Sequence, residues 1–148
     1  MTNASKRYYF AYGSNMDQAQ MNQICPRAVL VGIAKLQGYR FIINTRGVAT
    51  VVPERSSEVC GIPWIITKVD EQALDKHEGV KWGTYTKRMV HIEMATERSA
   101  RALTYIASDS TLSSPRDNYM EKLVAAAEQY GLPDKYVEEL RSWLKTGD

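Results

Sequence analysis

The residues best suited to chemistry fall in two short stretches. One is Leu74-Asp75-Lys76-His77-Glu78-Gly79-Val80. A helix is expected over about 70–78, with Asp70 as its N-cap and Gly79 just past its end. Glu78 then follows Leu74 by four residues, on the apolar face and in the last turn. Partial burial disfavours its charge, and so does the negative end of the helix dipole. Both effects raise the carboxyl pKa from about 4.3 toward what a general base needs near neutral pH. If the helix end frays instead, the same side chain points into water. The other acids read as blander: Asp70 is a cap, Glu54 and Glu58 lie in a polar loop, and Glu121, Glu128, Glu138 and Glu139 lie on solvated helix faces.

The second stretch is Tyr8-Tyr9-Phe10-Ala11-Tyr12-Gly13-Ser14-Asn15-Met16. Tyr8, Phe10 and Tyr12 alternate with Tyr9 and Ala11, the pattern of a strand. Gly13 permits a sharp turn, and Ser14 and Asn15 are natural N-caps for a helix over about 15–25. A helix start carries unpaired N–H groups and positive partial charge, so it can hold a carboxylate or a phosphate. A plain strand-to-helix connection has the same pattern. Ser14 reads as a cap rather than a nucleophile, because Gly-x-Ser-x-Gly is absent.

His77 and His91 have no third partner at ligand spacing, so neither indicates a metal site. Cys25 and Cys60, the two cysteines, read as small buried hydrophobes in a reducing cytoplasm. Tyr12, Tyr85, Tyr105 and Tyr119 matter only if a pocket lies beside them.

The elements that must position these residues are legible in outline. The chain has 148 residues, 44% hydrophobic and 24% charged, which suits one soluble domain with a proper core. A net charge of +2 with scattered Lys and Arg argues against nucleic acid. No apolar run approaches a membrane span, and no signal peptide is visible. Residues 1–6 read as a tail. Strands are expected over about 7–12, 29–31, 36–44, 48–52, 59–67, 85–94 and 101–107. A kink is expected at Gln37-Gly38, a turn at Thr45-Arg46-Gly47, a polar loop over 54–58, and a bulge or edge near Gly61 and Pro63. Ser114-Pro115 is expected to open a helix that ends at Gly131, and Pro133 to start the last one. The order predicts an α+β domain with a mostly antiparallel, barrel-like sheet.

The residues also resemble a known family. Tyr9-Phe10-Ala11-Tyr12-Gly13-Ser14-Asn15 is similar to the N-terminal motif of the γ-glutamylcyclotransferases. Gly47-Val48-Ala49-Thr50, Glu58-Val59-Cys60-Gly61, Leu74-Asp75 with Glu78-Gly79-Val80-Lys81, Gly83-Thr84-Tyr85 and Tyr130-Gly131-Leu132-Pro133 match in the same order. The resemblance runs from about residue 8 to about residue 141 of a single domain spanning 1–148. It implies a small β-barrel flanked by helices, with a cavity at one end.

The resemblance implies a reaction as well. The α-amine of a γ-glutamyl compound attacks its own γ-carbonyl, 5-oxoproline forms and an amino acid leaves, without metal, water or cofactor. Glu78 matches the family's catalytic glutamate. Gly13, Ser14 and Asn15 match its binding loop, whose N–H groups would hold a substrate oxygen. Tyr12 would wall the cavity, and Tyr85, Tyr105 and Tyr119 would line it. The implied partner is a small γ-glutamyl molecule, with no nucleic acid and no membrane; a homodimer is compatible with the resemblance. A branch acting on γ-glutamylamines tends to carry Thr-Leu where this chain has Ser14-Asn15, which favours the amino-acid branch. A glutathione-specific branch shares the reaction, and a barrel that binds a carboxylate ligand without chemistry is the contrasting reading. Trp82 and His77 depart from the pattern, and the segment around residues 44–47 is short. Trp82 is expected to narrow the pocket or alter its leaving-group side.

Overall fold

In the computed structural model, which describes residues 6–144, five strands close into a barrel. The expected tail, Lys6 apart, lies outside the described residues. β1 (Arg7–Ala11) pairs antiparallel with β4 (Ala49–Ile66) on one side and parallel with β6 (Ser99–Ala107) on the other. β5 (Tyr85–Met94) joins β6 to β3 (Ala34–Ile43), and β3 returns to β4, so every barrel strand has two neighbours. The short β2 (Val29–Leu30) is added to β4 outside the ring. One pairing is parallel and the rest antiparallel, as the fold class expected. Closure removes open edges. Because β1 is covered on both faces, Tyr9, Phe10 and Ala11 are all buried and the alternation expected of them is lost.

Four helices flank the barrel: α1 (Gln18–Ile24), α2 (Lys68–His77), α3 (Tyr119–Gln129) and α4 (Asp134–Arg141). Leu74 of α2 and Leu123, Ala126 and Ala127 of α3 are buried in the same core as Trp64 and Ile62 of β4. Among the described residues, no helix is long and apolar enough to cross a membrane.

Five local expectations need correction. The polar segment 54–58 is not a loop between two strands but part of β4. Gln37 pairs with Glu58 and Tyr39 with Pro53, so the kink at Gly38 faces an outward excursion of residues 54–57, held by Gln37 Nε2 donating to Glu58 Oε1 at 2.9 Å. Gly61 marks neither a bulge nor an edge. It pairs with Ala34, and a Cβ there would lie 2.4 Å from the Ala11 carbonyl oxygen, so the close approach of β1 requires glycine.

Ser14 and Asn15 do not cap α1. They form a separate 3-10 turn, Ser14–Met16, and Asp17 caps α1 by accepting the Gln20 N–H at 3.0 Å. Asp70 is the third residue of α2 rather than its cap. Thr67 caps, and a capping box joins Thr67 N–H to Asp70 Oδ2 at 2.9 Å and Asp70 N–H to Thr67 Oγ1 at 3.3 Å. Ser114-Pro115 does not open α3 either. The helix begins after Asn118, because the Arg116 N–H is held by the Gly47 carbonyl at 3.0 Å.

Candidate active site

Glu78 is the C-cap residue of α2, its N–H bonded to the Leu74 carbonyl at 2.8 Å. Leu74 is fully buried and anchors the helix end, so the end does not fray. Gly79 then takes a left-handed conformation, φ 69°, and turns the chain into a 3-10 turn, Val80–Trp82. A Cβ at Gly79 would also lie 2.9 Å from Thr84 Oγ1, so both backbone and space call for glycine. The Glu78 carboxylate is thereby held inward. Burial lifts its pKa from 4.5 to about 7, against the opposing pull of the Asn15 hydrogen bond and the Arg46 charge.

Asn15 ties the two chemical stretches together. Its side chain is buried; Nδ2 donates to Tyr9 Oη at 2.8 Å and to Glu78 Oε2 at 3.2 Å. Its Oδ1 accepts from Gln20 Nε2 at 2.8 Å, and the same Gln20 nitrogen lies 2.7 Å from Ser14 Oγ. This network fixes which end of the amide faces Glu78, since the carboxylate needs a donor. The expected long-helix dipole is absent at this turn. Local N–H groups take its place: the first bond inside the turn is Met16 N–H to Gly13 C=O, so the Ser14 and Asn15 N–H groups have no acceptor within it.

Tyrosines form the rest of the wall. Tyr85 Oη donates to the Ala49 carbonyl at 2.8 Å, while Tyr119 Oη accepts the Ala49 N–H at 2.9 Å, so one residue of β4 pins both phenols. Tyr12 Oη donates to the Tyr105 carbonyl, and Tyr105 Oη donates to Asp75 Oδ1 at 2.7 Å. Burial raises the pKa of all four phenols, that of Tyr119 to about 12, so they act as neutral hydrogen-bonding groups. A Cβ on Gly13 would lie 3.3 Å from Tyr119 Oη and 3.4 Å from the Ala49 Cβ, so glycine keeps this corner open.

The structure brings Glu78, the Gly13-Ser14-Asn15 turn and Tyr12, Tyr85, Tyr105 and Tyr119 to a single cavity of about 40 Å³. Tyr9, Ala49 and Thr104 line it too, although sequence reasoning assigned them no part. Tyr9 sat inside the motif but on the strand face opposite Tyr12. The cavity shares Ser14, Glu78, Tyr85 and Tyr119 with an open groove of about 620 Å³, which Arg46, His77, Arg116 and Lys122 also line. Trp82, expected to narrow the pocket, is instead 80% exposed and lines neither compartment, because the left-handed Gly79 and the 3-10 turn carry it outward. Among the described residues, no group of three or more His, Cys, Asp or Glu is placed to hold a metal.

The chain is similar in sequence to proteins named gamma-glutamylcyclotransferase from Mus musculus and Homo sapiens. Each is 27% identical over 90% of this chain and 77% of the relative. In structure it is similar to a gamma-glutamyl cyclotransferase, with a TM-score of 0.89 and 26% identity over 97% of this chain and 92% of the other. The AIG2-like family matches residues 58–140, from the outward excursion of β4 through α4. That span holds Glu78, Tyr85, Tyr105 and Tyr119, and the chain belongs to the AIG2-like family.

Proposed function

We propose that this protein is a γ-glutamylcyclotransferase, converting a γ-glutamyl amino acid to 5-oxoproline and the free amino acid. The observation that carries this reading is the half-buried Glu78 carboxylate, its pKa raised to about 7 by desolvation, set in a cavity wall beside Asn15. The relatives from mouse and human bear that activity as their name.

In this reading Glu78 accepts a proton from the substrate's α-ammonium, freeing the lone pair. The nitrogen attacks the γ-carbonyl carbon, and the carbonyl electrons move to oxygen. When they return, the amide C–N bond breaks. Two protons leave the attacking nitrogen over the cycle, and two arrive on the departing one, which leaves as an ammonium. Glu78 carries them between the two nitrogens. The Gly13-Ser14-Asn15 turn would donate its backbone N–H groups to the oxygen on which negative charge develops. The tyrosine walls fold the substrate so that amine and carbonyl meet, and well-oriented intramolecular reactions reach effective molarities of about 10⁵ M or more. Cys25 and Cys60 are both free and buried, which suits a cytoplasmic setting.

Release of 5-oxoproline from γ-glutamyl-alanine, γ-glutamyl-lysine linked through its ε-amine, and glutathione tests the reading. Turnover of the first, abolished in Glu78→Gln, is the expected result. Turnover of only one of the others keeps the reaction and changes the branch. Binding of γ-glutamyl compounds without product from any of them would make the barrel a binding module.

A further inference from the structure

The inner cavity is too small for a whole substrate. Its volume of about 40 Å³ holds roughly three waters, at about 10–15 Å³ each. A γ-glutamyl compound whose reacting centre is beside Glu78 must therefore extend into the outer groove, which Glu78 also lines. That groove is cationic. Arg46 comes from the turn between β3 and β4, Arg116 from the segment before α3, and Lys122 from α3 itself. Asp117 is the groove's one carboxylate besides Glu78, and among the described residues none of the three cations takes part in a salt bridge. Two of the three side chains are nonetheless anchored. Arg116 Nε donates to the Arg46 carbonyl at 2.8 Å, and the Arg116 Cγ sits where a Gly47 Cβ would be, 2.6 Å away. Lys122 Nζ donates to Gln20 Oε1 at 3.3 Å, at the end of the network that runs through Asn15 to Glu78.

We propose that this groove is the leaving-group subsite and that Arg46, Arg116 and Lys122 select a leaving group bearing a carboxylate. The inference rests on the cyclotransferase reading and deepens it: the glutamyl part engages the inner cavity, and the anionic end of the departing amino acid lies among the three cations. A neutral amine as leaving group would leave those cations without a partner.

The test compares γ-glutamyl-alanine with γ-glutamyl-alaninamide, which differ only in the leaving group's carboxylate. Alaninamide is the weaker base and the better leaving group, so intrinsic reactivity runs against the acid. The expected result is a kcat/KM roughly tenfold or more in favour of the acid, from charge-assisted hydrogen bonds at a partly solvated site. Added salt should shrink that ratio. Arg46→Gln and Lys122→Gln should each bring it closer to unity. The ratio cancels any change in Glu78, because both substrates use it equally. Lys122→Gln touches no backbone contact, so it serves if Arg46→Gln fails to fold. Equal turnover of the two compounds, or a preference unchanged in both variants, overturns the subsite while the cyclotransferase reading stands. No 5-oxoproline from either compound overturns the subsite, and none from glutathione or ε-linked γ-glutamyl-lysine as well overturns the cyclotransferase reading.

Discussion

The inner cavity and the outer groove share Glu78 yet are built by opposite means. Inside, side chains are withdrawn from solvent and tied down: Tyr85 and Tyr119 to the Ala49 main chain, Tyr12 to the Tyr105 carbonyl, and Asn15 to the Glu78 carboxylate. Outside, the functional groups are the ends of Arg46, Arg116 and Lys122, all exposed to solvent. The inner arrangement can shift a pKa, because burial there removes water from the charged form. The outer one cannot do so strongly, but it can attract or reject charge in what enters. Chemistry and selection thus fall to different compartments, and breaking each should have a different signature.

The largest effect should come from the wall between them. Glu78→Gln keeps size and an acceptor for Asn15 but removes the base. It should lower kcat by about 10²–10⁴ with every leaving group alike. A loss below about tenfold would mean that the inner cavity does not hold the base.

The same variant should gain stability, with a defined pH dependence. Glu78 has a folded pKa of about 7 against an ordinary 4.5, so between those values the native state binds more protons than the unfolded one. Wild-type stability therefore falls as pH rises through this window and stays reduced above it. Below about 4.5 the carboxyl is protonated in both states and the penalty vanishes. Glu78→Gln should exceed wild type by up to about 3 kcal/mol above pH 7 and match it in acid, as read from denaturant midpoints at the two extremes. Equal stability at both would place the carboxylate in water.

Asn15 sharpens the comparison further. Its hydrogen bond favours the charged form of Glu78, so losing it should raise the pKa again. In Asn15→Ala the acid limb of the kcat/KM profile should move to higher pH, with a greater loss at about pH 6 than at about pH 9. A loss equal across the profile would give Asn15 a role in shape alone.

How far the sequence carries this picture differs between the two compartments. The inner one was legible because its parts are local. Leu74 and Glu78 sit four apart on one helix face, and Gly79 marks the helix end. Tyr12-Gly13-Ser14-Asn15 marks a turn, and the family resemblance joined the two. What went wrong there was detail that tertiary contacts decide. Asp17 outcompeted Ser14 and Asn15 as cap of α1 once the turn closed on itself, and Thr67 took the capping role from Asp70. The Arg116 N–H went to Gly47 rather than into a helix opened at Pro115. The segment 54–58 looked like a loop because it is polar, but polarity there reflects an outward excursion of a paired strand. The outer groove was not legible at all. Arg46 lies far along the chain from Arg116 and Lys122, and nothing in the sequence joins that turn to the start of α3.

The smallest effect should come from Trp82, the residue expected to narrow the pocket or alter its leaving-group side. It follows Glu78 by four positions, but beyond the α2 end that spacing no longer places it on Glu78's face. The turn through Gly79 sends the ring outward, where Lys81 Nζ sits 5.4 Å from its centre. Exposed substitutions away from caps, cores and sites change stability by about 0.5 kcal/mol or less. Trp82→Ala should therefore leave kcat/KM for γ-glutamyl-alanine within about twofold of wild type, where a substitution in the groove moves the ratio between leaving groups. A selective rise in KM for one leaving group would show that the outer compartment reaches over the Val80–Trp82 turn. The boundary between selection and bare surface would then lie beyond Trp82 rather than at Thr84.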